Sequence, residues 1–197
     1  MFIQTEQTPN PATLKFLPGE PVMATGTANY TSSEAAVQSH LAARLFAIEE
    51  VEGVFLGQDF ISVTKASGGG NDDEEWQRLK PAVLGAIMEH FMSGQPVMAA
   101  VANASDGADG DSGENANLNE ADAEIIGQIK ELIETRVRPA VAQDGGDIVF
   151  HGYDKGIVSL HMQGACAGCP SSTITLKNGI ENMLRHYVPE VQEVRAV

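Results

Sequence analysis

The sequence predicts an α+β protein: two small mixed α/β domains joined by a flexible acidic linker. The stretch at 99–117, AAVANASDGADGDSGENAN, has no large side chain, so it cannot bury enough apolar surface to offset its ordering entropy. On both sides of it, strand-like and helix-like hydrophobic patterns alternate. A chain of 197 residues, 43% of them apolar, suffices for two small cores. We therefore place the domains at 1–95 and 119–197, with the linker over 96–118.

The N-terminal domain begins with two predicted strands, FIQTEQ and ATLKFLPG, separated by the breaker PNP. Thr31 and Glu34 have the spacing of a capping box, which predicts that a helix begins there. Apolar residues then recur at three- and four-residue intervals, as in an amphipathic helix: Val37, Leu41, Leu45 and Ile48.

The rest of this domain is predicted to be a hairpin followed by a second helix. The segment VEGVFLGQDFISVTKA reads as two strands that turn at 57–59. The helix is predicted from apolar residues at helical spacing, with Pro81 opening or kinking its second part: Trp76, Leu79, Val83, Ile87 and Phe91. We interpret His40 and His90 as helix-surface residues. The domain contains no cysteine, so we expect a docking or regulatory role rather than chemistry.

The C-terminal domain is predicted to be a short sheet packed with two helices. An amphipathic helix runs from Glu120 to about Val141, and the turn DGGD at 144–147 follows it. The segments DIVFHGY and GIVSLHM read as paired strands. Three apolar residues share one face of the second strand: Val158, Leu160 and Met162. The loop GACAGCP comes next, and a second helix then covers SSTITLKNGIENMLRHYV and ends before Pro189.

This loop carries Cys166 and Cys169, the only two cysteines of the sequence. Pro170 suits the first turn of a helix, which places Cys169 near the helix cap. The free N–H groups and the positive helix end favour the thiolate there and lower the pKa of the thiol. Gly164 and Gly168 let the backbone turn around the sulfur atoms. We expect two exposed thiolates that point the same way, in a loop that adds little to the core.

Three chemistries are open for this pair: a redox disulfide, part of a zinc site, or part of an iron–sulfur site. A disulfide needs only two cysteines, but a thioredoxin-type motif sits in a parallel βαβ unit, whereas the strands here predict an antiparallel hairpin. Zinc and cubane iron–sulfur sites take about four ligands. His161 is interpreted as an exposed strand residue. The simplest route to four thiolates is two chains that each supply one CxxC across a two-fold axis.

Composition argues against nucleic acid and membranes as partners, and it bears on the cellular compartment. Lys and Arg total 12 against 27 Asp and Glu, and the net charge of -15 would repel nucleic acid and anionic membranes. There is no run of about 20 apolar residues to span a membrane. The N-terminal stretch lacks the pattern of a secretory signal or a transit peptide, so we expect neither. Two closely spaced cysteines are not a disulfide scaffold, so we expect a reducing, cytosolic compartment.

Two stretches carry a family resemblance. The segment from RPAVAQDGGDIVFHGY through GACAGCPSSTITLKNGIE to PEV closely resembles the NifU C-terminal (Nfu) domain, over about 120–194. FIQTEQTPNPATLKFLPG, with the later HFMSGQPV, resembles the N-terminal domain of Nfu scaffold proteins. The whole chain, the linker aside, is thus similar to an Nfu-type iron–sulfur cluster scaffold or carrier.

The resemblance implies a [4Fe–4S] cluster bridged between two chains, with Cys166 and Cys169 as ligands and [2Fe–2S] as the other cluster form. Its partners would be a second copy of the chain, upstream assembly proteins, and apo-proteins such as aconitase-like or lipoyl-synthase-like acceptors. It implies a carrier rather than an enzyme; a thiol–disulfide redox protein using the same CxxC is the alternative. The Met1 start without a presequence leads us to expect a bacterial cytoplasm rather than the mitochondrial matrix.

Overall fold

The structure is a computed structural model that describes residues 2–66, 72–99, 120–167 and 170–197. The predicted linker over 96–118 lies outside the described residues from 100 onward, and so does Cys169. The described part forms two domains, each with its own sheet and hydrophobic core. The predicted α+β class with two domains is confirmed.

The N-terminal sheet has five strands in the order β1-β2-β5-β4-β3, and every neighbouring pair is antiparallel. The strands are β1 (Gln4–Gln7), β2 (Thr13–Leu17), β3 (Ala28–Tyr30), β4 (Val51–Leu56) and β5 (Ile61–Lys65). The predicted hairpin is β4 and β5. One face of the sheet packs on helices α1 (His40–Phe46) and α2 (Asp72–Ser93), because alternate strand residues such as Phe16 and Val63 point into that core.

The start of α1 differs from the prediction, which placed a capping box at Thr31 and Glu34. Only a short 3-10 turn (Ala35–Gln38) follows that stretch. Ser39 is the N-cap residue, and its hydroxyl accepts a hydrogen bond from the Ala42 N–H at 3.2 Å. Because Ser39 directly precedes the buried turn of α1, it satisfies one of the N–H groups that the helix start leaves unpaired.

The interpretation of His90 as a surface residue is wrong, whereas His40 is exposed. His90 follows Val83 by seven residues and Ile87 by three, so it lies on the same buried face of α2, and it is 0% exposed. Among the described residues neither ring nitrogen has a hydrogen-bond partner. Burial lowers the pKa of His90, and the nearby charges of Arg44 and His40 lower it further.

The C-terminal domain follows the predicted order, with one interruption in its first helix. Its helices are α3 (Glu120–Leu132), α4 (Arg138–Gln143) and α5 (Pro170–Tyr187), with a π-helical turn (Ile133–Val137) between α3 and α4. In this turn the Arg138 N–H bonds to the Ile133 carbonyl, five residues back. Pro139 has no N–H to donate to the carbonyl four residues back, which explains why the α-helical hydrogen-bond pattern is interrupted by a π-helical turn here.

The C-terminal sheet has three strands: β6 (Gly146–Asp154), β7 (Ile157–Gly164) and β8 (Glu193–Ala196). β6 and β7 form the predicted antiparallel hairpin, and the face that Val158, Leu160 and Met162 were predicted to share is buried. The strand β8, which was not predicted, pairs in parallel with β7. The sheet carries the cysteine loop from the end of β7 to the start of α5. No helix among the described residues is long and apolar enough to cross a membrane.

Candidate functional site

The DGGD turn positions the cysteine loop. Gly145 has φ +80°, a backbone conformation that side chains disfavour. Its carbonyl accepts a hydrogen bond from the Ala165 N–H at 3.1 Å. Gly146 opens β6 and pairs with Gly164, the last residue of β7. The turn between α4 and β6 therefore lies directly against the chain that enters the CxxC loop.

A buried carboxylate fixes the end of this turn. Asp147 is 3% exposed. Arg138 donates two hydrogen bonds to its carboxylate, from Nε to Oδ1 at 2.8 Å and from Nη2 to Oδ2 at 2.7 Å. The same guanidinium reaches Glu134 through Nη1 at 2.8 Å. Asp147 accepts two further bonds, from the Ile148 N–H at 2.8 Å and the Thr27 hydroxyl at 2.9 Å. The hydrogen bonds to Asp147 are the main reason that the pKa of Arg138 is raised.

Cys166 is buried, contrary to the predicted exposed thiolate. It is 5% exposed and belongs to the hydrophobic core of the C-terminal domain. Its Sγ lies so close to Gly146 that a Cβ at position 146 would overlap it. Burial raises the pKa of the thiol to about 12, and the carboxylates of Asp144 and Asp147 add to this rise. Cys166 packs into the core of its own domain, and this packing is not visible in the local sequence of the loop.

The expectation that the loop adds little to the core is therefore wrong at Cys166. Ala165, beside it, is also buried, at 2% exposed. Cys169 lies outside the described residues, so its predicted position at the helix cap stays a prediction. His161 is exposed on β7 as predicted, and its Nδ1 lies 2.8 Å from the Val197 carbonyl oxygen. Within the described ranges, no three His, Cys, Asp or Glu side chains are grouped to hold a metal ion.

Residues of the N-terminal sheet also lie against the site. Lys15, Ser62 and Phe55 are register partners across β2, β5 and β4, so their side chains form one row on the sheet face opposite the helices. We call these three residues the outer row. All three are buried, at 7%, 1% and 1% exposed. An antiparallel sheet can leave one face in water, but here the C-terminal domain covers it.

Each member of the outer row contacts the site. Lys15 Nζ donates a hydrogen bond to the Gln143 carbonyl at 3.0 Å. Ser62 Oγ donates to the Gly145 carbonyl at 2.6 Å. Phe55 lies against Gly164, where an added Cβ would come within 2.9 Å of its Cγ. None of these three residues was predicted to belong to the site. The alternation of Thr13 and Lys15 with Leu14 and Phe16 is the sequence signal that the sheet has a second face.

Asn10 and Thr27 extend this contact beyond the outer row. Asn10 Nδ2 donates a hydrogen bond to the Ala167 carbonyl at 3.1 Å, directly after Cys166. Thr27 donates to Asp147, as described above. The N-terminal domain thus contacts the DGGD turn and the chain on both sides of Cys166.

The fold and the site define a class: a two-domain α+β protein with a CxxC pair between the last strand of a hairpin and a helix. The family model "Scaffold protein Nfu/NifU N terminal" matches residues 3–94, and the model "NifU-like domain" matches residues 129–195. The chain belongs to the Nfu family of NifU-like scaffold proteins, as the resemblance predicted.

Two relatives and one solved structure illustrate the similarity. The human NFU1 iron-sulfur cluster scaffold homolog, mitochondrial, is 48% identical over 197 residues, which cover 100% of this chain and 72% of that protein. NifU-like protein 5, mitochondrial, of Arabidopsis thaliana is 48% identical over 196 residues, covering 98% and 67%. The solution NMR structure of a NifU-like protein from Saccharomyces cerevisiae has a TM-score of 0.43 and 22% identity, and covers 51% of this chain and 87% of that one.

The expectation of a bacterial cytoplasm is contradicted. The relatives from human and Arabidopsis, and one from Drosophila sechellia, are all named mitochondrial proteins, which points to the mitochondrion. The error came from treating the start of the chain as information about its compartment.

Proposed function

We propose that this chain is an iron–sulfur cluster scaffold and carrier, which holds a [4Fe–4S] cluster between two copies and passes it to apo-proteins. One observation carries the proposal: the chain matches, over its full length, a relative named as an iron–sulfur cluster scaffold, and its only two cysteines are the CxxC pair. Cluster binding is assigned to 119–197, and 1–95 is the N-terminal domain.

The ligands in this proposal are Cys166 and Cys169 of each copy. A cubane cluster is held by four thiolates. One chain has two, so a second copy completes the set, as a homodimer around the cluster. A [2Fe–2S] cluster needs the same four ligands and is the second cluster form of the proposal.

Ligation requires a change at Cys166. Its thiol must leave the pocket beside Gly146 and lose its proton as the sulfur–iron bond forms. Delivery is the reverse exchange: thiolates of the acceptor replace Cys166 and Cys169, whose sulfurs take up protons again. No substrate is chemically turned over, so the protein acts as a carrier and not as an enzyme.

The thiol–disulfide alternative has less support. A redox cysteine attacks as the thiolate and is usually accessible, with a lowered pKa. Cys166 is buried and its pKa is raised to about 12, so this chemistry and cluster ligation both require the thiol to become accessible and to lose its proton. The names of the relatives favour the scaffold role. Neither of the relatives described above is named as a redox protein.

The partners follow from the proposed role. They are a second copy of this chain, upstream cluster assembly proteins, and acceptors with vacant thiolate sites. The net charge of -15 disfavours nucleic acid and anionic membrane surfaces as partners.

The test is cluster transfer from the reconstituted protein to an apo-enzyme of the aconitase-like class, followed by the activity of the acceptor. Wild type should activate the acceptor, and Cys166→Ala and Cys169→Ala should not. His161→Ala is the matched control, because His161 is an exposed residue of the same strand and should leave transfer unchanged. Full transfer by either cysteine variant would overturn the ligand assignment.

A further inference from the structure

We propose that the outer row of the N-terminal sheet is an intramolecular docking surface that covers the cluster-binding loop and keeps reactants away from Cys166. The inference depends on the proposed function only in taking Cys166 as a ligand. Its basis is the set of contacts that the N-terminal domain makes with the turn and loop that hold this residue.

The contacts surround Cys166 along the chain. Before it, Phe55 packs on Gly164. After it, Asn10 binds the Ala167 carbonyl at 3.1 Å. Cys166 itself is 5% exposed between these two anchored positions. A loop held at both flanks by another domain cannot turn its thiol outward without breaking those contacts.

The carbonyl oxygen of Gly145 is hydrogen-bonded both to the outer row and to the cysteine loop. The Gly145 carbonyl accepts a hydrogen bond from the Ser62 hydroxyl at 2.6 Å and another from the Ala165 N–H at 3.1 Å. An added Cβ at Gly145 would come within 2.7 Å of Ser62 Oγ, so the two surfaces meet without spare room. Ser62 is therefore the position in the outer row where a larger side chain would separate the domains.

The chemistry of the surface suits a contact that opens and closes. Beside Phe55, the outer row consists of Lys15 and Ser62, which are 7% and 1% exposed, whereas a permanently buried face would be mainly apolar. The bonds from Lys15, Ser62 and Asn10 end on backbone carbonyls, and water can replace each of them. Polar interfaces between domains of one chain typically permit relative motion.

This arrangement assigns a role to a domain in which the sequence showed no chemistry. In the closed state Cys166 is shielded and cannot meet a second chain. Holding a shared cluster requires the open state, in which the polar sheet face and the loop are both in water. The N-terminal domain thus protects the thiol of the empty carrier.

The test measures alkylation of Cys166 by iodoacetamide in the reduced, iron-free, full-length chain at one fixed pH. A Cys169→Ser background leaves a single thiol, and mass spectrometry follows its modification. Alkylation of a buried thiol proceeds through local opening, so its rate reports the open population. Adding Ser62→Lys should raise the rate by about tenfold, because the long side chain cannot fit against Gly145 and its bond is lost.

Thr64→Lys is the matched control. Thr64 lies two residues along the same strand, on the same face, and its hydroxyl is 2.8 Å from that of Thr13 within its own domain. This variant should label at the rate of the parent. Lys15→Met is a second opening variant that adds no bulk; losing its bond to Gln143 should raise the rate by about threefold.

Equal rates for the parent, Ser62→Lys and Lys15→Met would overturn the proposal, since the C-terminal domain alone would then bury Cys166. Circular dichroism and Trp76 fluorescence verify that each variant is folded. The assay contains no iron, so a chain that fails to bind any cluster would refute the proposed function and leave this contrast intact.

Discussion

Replacing Arg138 tests whether the site is built around a buried charge. Arg138→Leu would leave the buried Asp147 carboxylate without its guanidinium partner. Removing one member of a buried ion pair costs about 3–5 kcal/mol. Here the Arg138 side chain is 30% exposed, and the Ile148 N–H and the Thr27 hydroxyl still serve the carboxylate, so we expect a loss of about 2–3 kcal/mol in the free energy of unfolding.

The assay is urea unfolding with two probes. Trp76, the only tryptophan of the sequence, lies in the N-terminal domain, so its fluorescence reports that domain, whereas far-ultraviolet circular dichroism reports the helices of both. The loss should appear mainly in circular dichroism. Arg195→Leu is the matched control, because Arg195 makes a similar fork to Glu193, with both bonds at 3.1 Å, in solvent. Its removal should change stability little.

A double variant separates the buried charge from lost packing. Adding Asp147→Asn to Arg138→Leu removes the unpaired charge and should recover part of the loss. The reasoning is refuted if Arg138→Leu costs no more than Arg195→Leu, or if Asp147→Asn makes the Arg138→Leu variant still less stable.

Three further predictions concern the two cores. Because burial lowers the pKa of His90, the folded state should lose stability as pH falls below about 6.5 and on through the lowered pKa, and His90→Leu should flatten this part of a stability–pH curve measured by urea unfolding. Gly146→Ala would place a methyl group on the Cys166 sulfur; it should cost about 1–3 kcal/mol in urea unfolding and raise the alkylation rate of that thiol, and an unchanged rate would contradict the described packing. Leu184→Ala, at a fully buried position of α5, should cost about 2–5 kcal/mol in thermal or urea unfolding, whereas Ile174→Ala, at 59% exposed on the same helix, should cost far less.

Local patterns predicted the elements whose partners are close in sequence. The β6–β7 hairpin followed from two alternating segments around a short turn, and Val158 and Leu160 were correctly predicted to share one face of the second strand. The strand β8 was missed because its parallel pairing with β7 depends on the long helix between them. A four-residue segment has no sufficient pattern of its own.

The sequence predicts the candidate residues of the site but not their surroundings. The spacing of the cysteines and the turn before β6 are visible in the sequence. The burial of Cys166 is not, because it arises from its packing against Gly146 and within the core of the C-terminal domain. His90 shows the same limit: a polar residue on a helical face was interpreted as exposed, although its spacing from Ile87 placed it in the core.

The central claim is that two chains share one cluster through Cys166 and Cys169. The most direct measurement is anaerobic reconstitution with iron and sulfide, followed by iron, sulfide and mass analysis of the species that elutes from a sizing column. The account predicts a brown dimer with about two iron and two sulfide per chain, one cubane for four thiolates, and no cluster in Cys166→Ala. A colourless product with the two cysteines joined as a disulfide, or a chain that holds zinc tightly instead, would contradict it.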